Sequence, residues 1–280
     1  MDKQKKLDLM KKAACIRKYI IEEVFSAKSG HPGGSLSCTD IFTVLYFDEM
    51  RVDVNNPKWP DRDRFVLSKG HCAPALYATL AVKGFFPEED LFTLRKTDSY
   101  LEGHPNMTYV PGVDMSTGSL GQGISAAVGM ALAGKIDQKD YRVYSILGDG
   151  ELQEGQVWEA SMAAAHYQLD NLTAFVDYNG LQIDGPIKEV MSPEPIADKF
   201  IAFGWNVIVI DGHDMEAIKN AIDQAKTVKE KPTMIVCNTI KGKGVSFMEN
   251  NGAWHGSAPN QEQRDQAIAE LDAYLAGLEA

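Results

Sequence analysis

Tyr141-Arg142-Val143-Tyr144-Ser145-Ile146-Leu147-Gly148-Asp149-Gly150 and, further on, Leu172-Thr173-Ala174-Phe175-Val176-Asp177-Tyr178-Asn179-Gly180 decide the fold. The first stretch reads as a strand that stops in Gly-Asp-Gly, where missing Cβ atoms let the backbone come close to a ligand. Gln156 to Gln168 carries a helical pattern, with Val157, Ala160, Ala164 and Tyr167 on one face, and Leu172 to Val176 is a second strand-like apolar run. Strand, helix and strand make one βαβ unit whose strands run parallel, so Asp149 and Asn179 emerge at the same carboxyl edge of the sheet. A hard cation that binds through a diphosphate takes only one or two side-chain oxygens from the protein, and an Asp with an Asn supplies them. The unit therefore predicts a site for a magnesium-bound diphosphate.

The flanking sequence extends this pattern. Leu7 to Phe25 reads as an amphipathic helix, Ser35 to Asp48 as another opened by a polar cap, and Ser68 to Lys83 as including a third. Leu120 to Gly134 is a small-residue helix suited to close packing. After the βαβ unit come a strand at Trp205 to Ile210, a helix at Met215 to Lys229, a strand at Thr233 to Asn238 and a terminal helix at Gln261 to Leu278. The expected fold is α/β, a mostly parallel central sheet flanked by helices on both faces. No linker, repeat or low-complexity tract divides the chain, and residues 1–280 are expected to form a single domain.

Composition excludes several functions. With 280 residues, 44% of them hydrophobic, and a net charge of −11, the chain suits one large soluble domain and lacks the basic surface that nucleic-acid binding requires. Met1 to Glu23 alternates lysines with apolar residues and has no signal-length apolar run, so a cytoplasmic protein without membrane attachment is expected. Cys15, Cys38, Cys72 and Cys237 show neither Cys-x-x-Cys nor zinc spacing and read as reduced core thiols. Gly118-x-x-Gly121-x-Gly123 has the wrong spacing for a dinucleotide loop. Of six histidines, His31, His71, His104 and His255 each adjoin glycine, which allows close approach to a ligand; His166 and His213 lack that context and read as ordinary surface or helix residues.

The segment Gly148 to Ala160, continued by Asp177 to Gly185, resembles the thiamine-diphosphate motif of transketolases. Ser29-Gly30-His31-Pro32-Gly33-Gly34-Ser35, Ser68-Lys69-Gly70-His71, Glu102-Gly103-His104-Pro105, Gly118-Ser119-Leu120-Gly121-Gln122-Gly123, Lys241-Gly242-Lys243-Gly244 and Trp254-His255-Gly256 resemble the family's other signatures, in the family's order. The resemblance implies that Asp149, Asn179 and the Leu181 carbonyl hold Mg²⁺ or Ca²⁺. It places Gly150, His71, Lys241 and His255 at the diphosphate of thiamine diphosphate, with Gly118, Ser119, Leu120 and Ile183 along the cofactor. Ile183 is an apolar contact that other side chains would satisfy. Gly34 stands where some members carry a serine, with Ser35 as the nearest substitute hydroxyl.

The same resemblance makes His31 and His255 the proton-transfer residues and has His104 bind the donor's terminal hydroxyl. Glu154 and Glu159 are implied in a carboxylate network, catalytic and cofactor-linked, that joins two active sites across a subunit interface. Their plain alternative is charge complementarity with a helix N-terminus.

Transketolases carry a pyrimidine-binding and a C-terminal domain as well, and these are expected on a separate chain. The implied protein is the N-terminal subunit of a split transketolase, needing a C-terminal subunit with the pyrimidine-binding domain and its glutamate, in a dimer of heterodimers. The expected reaction moves a two-carbon ketol unit from xylulose 5-phosphate to ribose 5-phosphate or erythrose 4-phosphate. Two alternatives stand beside it: a split transketolase specialised for another sugar phosphate or a sulfonated sugar, and a non-catalytic diphosphate-binding module. The Ser-Gly-His-Pro-Gly, Glu-Gly-His-Pro and Trp-His-Gly segments argue against a deoxyxylulose-phosphate synthase or a decarboxylating dehydrogenase.

Overall fold

The computed structural model describes residues 1–279. Helix α1 (Lys3–Ala27) starts where the Asp2 side chain accepts the Lys5 amide at 2.8 Å. Then follow α2 (Pro32–Ser37), α3 (Thr39–Val44), β1 (Arg64–Leu67), α4 (Ala73–Lys83), α5 (Gln122–Ile136), β2 (Val143–Gly148), α6 (Gly155–His166) and β3 (Leu172–Tyr178). A two-strand ribbon, β4 (Leu181–Gln182) and β5 (Gly185–Pro186), leads to α7 (Ile187–Val190), α8 (Ile196–Ala202), β6 (Asn206–Asp211), α9 (Met215–Thr227), β7 (Thr233–Asn238) and α10 (Gln261–Glu279).

The main sheet has the order β1-β2-β3-β7-β6, with every neighbouring pair parallel. Alternation along the strands divides the core between its two faces. Phe65, Tyr144, Ile146, Phe175, Ile235 and Cys237 join the core formed with α1, α3, α4 and α9. Val66, Val143, Leu147, Ala174, Val176, Met234 and Val236 join the one formed with α5, α6 and α8. This is the α/β sheet covered on both faces that the strand and helix pattern implied. Because all the strands are parallel, the segments after β1, β2, β3 and β7 leave at one edge, carrying Lys69, Asp149, Asn179 and Lys241 to it.

Several elements differ from the sequence reading. Strand β1 has only four residues, too few for its alternation to stand out from the polar stretch before it. The segment read as one helix from Ser35 to Asp48 begins at Pro32, whose fixed φ suits a first helical turn, and is interrupted at Cys38 before closing in a π-turn over Leu45–Glu49. Tyr167 does not share the buried face of α6; it caps the helix and is exposed, while Val157, Ala160 and Ala164 are buried. Helix α5 does pack closely: a Cβ on Gly123 would lie 2.6 Å from Ser68 Cα. All four cysteines are free, and Cys38, Cys72 and Cys237 are buried. Among the described residues no helix is long and apolar enough to cross a membrane.

Candidate active site

A cavity of about 320 Å³ lies over the carboxyl ends of β1, β2, β3 and β7. Asp149 stands at its floor, buried, with Oδ1 accepting the Gly150 amide at 2.7 Å and Oδ2 the Gly180 amide at 2.6 Å. Burial, with neighbouring Asp177, pushes its carboxyl up to about 6 despite those two amides. Among the described residues no cation forms an ion pair with it; Lys241 acts on it only from a distance. Asn179 donates through Nδ2 to Asp177 at 3.2 Å, which leaves its Oδ1 to accept the Leu181 amide, also at 3.2 Å. The Leu181 carbonyl accepts from Lys241 Nζ at 3.0 Å.

Lys241 has the complementary need. It is buried, its Nζ touches only the Leu181 carbonyl and His255 Nδ1, each at 3.0 Å, and no carboxylate forms an ion pair with it among the described residues. Burial and the nearby Lys69 push its pKa down. A carboxyl short of a cation and an ammonium short of an anion therefore face one cavity, which suits a diphosphate bound with a divalent metal. One carboxylate, one amide oxygen and one carbonyl form the hard-oxygen donor set that Mg²⁺ or Ca²⁺ takes, with phosphate and water to complete it. Among the described residues, no group of three or more His, Cys, Asp or Glu is arranged to hold a metal without such help.

Beneath this floor lies a buried ion pair that the sequence reading passed over. Lys69 Nζ and Asp177 Oδ2 meet at 2.5 Å, both essentially inaccessible to water. Asp177 also accepts from the hydroxyls of Ser37 and Thr239 and from Asn179. Burial alone would disfavour both charges, but each ion outweighs that for the other, and Lys69 is held well above its ordinary value while Asp177 is held below. Buried Glu151 plays a similar part on the other side. It accepts the Ser68 hydroxyl at 2.5 Å and the Gly121 and Gly148 amides at 2.9 and 3.0 Å, tying the loop before α5 to the end of β2.

Three of the four singled-out histidines form a cluster at the cavity's side. Ring centroids are 5.3 Å apart for His31 and His71, 5.5 Å for His31 and His255, and 5.3 Å for His71 and His255. Burial, then His71 and Arg95, lower His31 to about 4; burial, then Lys241 and His71, lower His255 to about 3. Both are neutral at neutral pH. His104 sits apart, lining a neighbouring cleft with Arg95, yet its ring packs on Gly118, where a Cβ would lie 3.0 Å from His104 Cδ2. Arg95, unmarked in the sequence reading, approaches His31 Nδ1 at 3.5 Å and the Ser29 hydroxyl at 2.8 Å.

The remaining predicted residues divide. Gly118, Leu120, Gly150, Ile183 and Glu154 line the cavity, Ile183 and Glu154 from its exposed rim. Ser119 and Glu159 do not: both are exposed outside it, Ser119 contributing a carbonyl to the Gln122 amide and Glu159 lying along α6. Ser35 does not replace a hydroxyl at Gly34, because it is buried and bonded back to the His31 carbonyl at 2.7 Å. Gly34 itself has no room for a side chain, since a Cβ would lie 2.9 Å from Cys72 Sγ. His213, read as an ordinary residue, is held between Asp40 and the Ile240 amide.

Residues 9–272 match the family described as transketolase, thiamine diphosphate binding domain. The chain belongs to the transketolase family. Among its relatives, a 6-deoxy-6-sulfo-D-fructose transketolase subunit of Clostridium sp. (strain MSTE9) is 51% identical over 269 residues, 96% of this chain and 98% of that protein. An apulose-4-phosphate transketolase subunit of Phocaeicola vulgatus is 48% identical over 263 residues, 94% and 93% of the two. A crystal structure of a Pichia stipitis transketolase mutant superposes with a TM-score of 0.88 at 34% identity, covering 97% of this chain and 44% of that one. The transketolase-family chain thus spans less than half of that transketolase and nearly all of the two subunits.

Proposed function

We propose that this chain is the diphosphate-binding subunit of a two-chain transketolase, a single domain whose partner chain carries the pyrimidine-binding domain. Two of each would assemble in the cytoplasm into an enzyme with two sites. The observation that carries the reading is the pair of unmet charges, Asp149 and Lys241, facing one cavity beside a cluster of neutral histidines. A non-catalytic binding module would have no use for the histidines.

Asp149, Asn179 and the Leu181 carbonyl would hold the metal, and Lys241, the Gly150 amide, His71 and His255 the diphosphate. Leu120 and Ile183, both exposed, would cover the cofactor's ring and be covered in turn. Thiamine diphosphate supplies the nucleophilic carbon and the electron sink for the two-carbon unit. This chain's own residues move the protons. As neutral imidazoles, His31 and His255 accept a proton from a sugar hydroxyl and return it, one ring nitrogen serving as acceptor while the other donates. The proton a histidine takes up is held more readily once the diphosphate's negative charge lies beside it. His104, behind Gly118 and next to Arg95, holds the donor's terminal hydroxyl from the neighbouring cleft. Glu154 and Glu159, exposed at the start of α6 and along it, act across the contact with a second copy.

For substrate, we favour a specialised ketose bearing a sulfonate or a phosphate over xylulose 5-phosphate. The two relatives matched end to end are named for sulfofructose and apulose phosphate. The test is to mix the purified chain with a candidate partner chain, thiamine diphosphate and Mg²⁺. Transfer from 6-deoxy-6-sulfo-D-fructose, apulose 4-phosphate and xylulose 5-phosphate to an aldose phosphate is then compared. The expected result is turnover only in the mixture, with one of the first two donors preferred. Turnover by this chain alone would refute the two-chain reading, and preference for xylulose 5-phosphate would refute the substrate choice.

A further inference from the structure

A second cavity, of about 380 Å³, opens next to the loop that follows β7, walled by α1, α10 and the turn after β6. Its inner wall holds a linear set of polar contacts. Arg17 grips Asp40 with both guanidinium nitrogens, Nη1 to Oδ1 at 3.0 Å and Nη2 to Oδ2 at 2.6 Å, and both residues are buried. Asp40 Oδ2 lies 2.7 Å from His213 Nδ1. His213 Nε2 accepts the backbone amide of Ile240 at 2.9 Å. An accepting Nε2 carries no proton, so the proton is on Nδ1 and points at Asp40. Asp40 therefore fixes both the tautomer and the plane of the ring.

The amide so held immediately precedes Lys241. The loop is also tied by the Gly242 amide to the Gly33 carbonyl at 2.9 Å and by the Thr239 hydroxyl to Asp177. Of these three ties, the His213 one reaches back to α1 and α3, which carry Arg17 and Asp40. We propose that Arg17, Asp40 and His213 form a positioning relay that sets the Lys241 ammonium for an anionic ligand. Other charged groups around the cavity are already engaged: Lys6 with Asp214 at 2.9 Å, Lys243 with Glu249 at 3.5 Å, and Asp211 with the His213 amide at 2.8 Å. None of them reaches the Ile240 amide in place of His213.

The relay's role rests on the reading that Lys241 holds a diphosphate, so its test has two readouts. Hydrogen exchange at the Ile240 amide is measured on the ligand-free chain, and affinity for thiamine diphosphate with Mg²⁺ is measured by calorimetry. His213→Leu is expected to speed exchange at Ile240 and weaken the cofactor about tenfold, the scale of one buried hydrogen bond. His213→Gln, whose carboxamide oxygen falls near the Nε2 position, is expected to recover most of both. A merely structural loss would not be rescued in this way. Unchanged exchange and affinity in His213→Leu would overturn the relay. Failure of the unaltered chain to bind thiamine diphosphate even with its partner chain present would sink the functional reading alone, and the exchange comparison would still decide for or against the relay.

Discussion

Glu23 provides a test of the fold's energetics that is independent of any ligand. It lies on α1, fully buried, and neither carboxyl oxygen has a hydrogen-bond partner. Burial holds its pKa well above the ordinary 4.5, so the folded chain keeps the proton. The sign follows. Below the unfolded value both states are protonated and the group is silent; as pH rises the unfolded chain releases its proton while the folded chain does not, and stability falls. The slope is about 1.4 kcal/mol per pH unit until the folded carboxyl itself titrates. The cost therefore accumulates from 4.5 upward for as long as the folded carboxyl keeps its proton. Glu23→Met fills a similar volume without the titration or the orphaned oxygens. Urea unfolding of both proteins from about pH 5 to pH 8 should give a stability difference that widens with pH in favour of the variant. All other titrating groups are shared, so the widening isolates Glu23. A difference that stays flat across the range would refute the buried, proton-retaining carboxyl.

Three further outcomes are expected. Lys69→Met should cost about 3–5 kcal/mol in urea unfolding, because it strands the Asp177 carboxylate, and adding Asp177→Leu should return much of that loss. Asp149→Ala should abolish metal-dependent binding of thiamine diphosphate by calorimetry and, because it also strips the Gly150 and Gly180 amides of their acceptor, lower stability by about 1–3 kcal/mol; retained metal-dependent binding would refute Asp149 as a ligand. Gly121→Ala should destabilise by about 1–3 kcal/mol in the same unfolding assay, because its φ of 83° is left-handed and its Cβ would lie 2.8 Å from Glu154 Cβ.

What the sequence disclosed and what it withheld divide along a physical line. Asp149 and Asn179 were legible because each ends a strand, and parallel strands joined by a helix must deliver their ends to one edge. The glycine-flanked histidines stood out by local context alone, and three of them meet with ring centroids 5.3 to 5.5 Å apart. Lys69 and Asp177 carry no such signal. They meet because β2 separates β1 from β3 by a single strand's width, and both side chains turn toward α2, Asp177 accepting the Ser37 hydroxyl and Lys69 donating to the Gly34 carbonyl. Glu151 and Glu154 look alike in sequence, yet a short 3₁₀ turn buries the first among three donors and leaves the second at the rim. His213 is the sharpest case. Its neighbours along the chain give it no role, because its two partners come from residues 40 and 240 and meet only after β7 has inserted between β3 and β6. Strand order, which no local pattern encodes, therefore decides which polar residues support the site, while local pattern decides which ones line it.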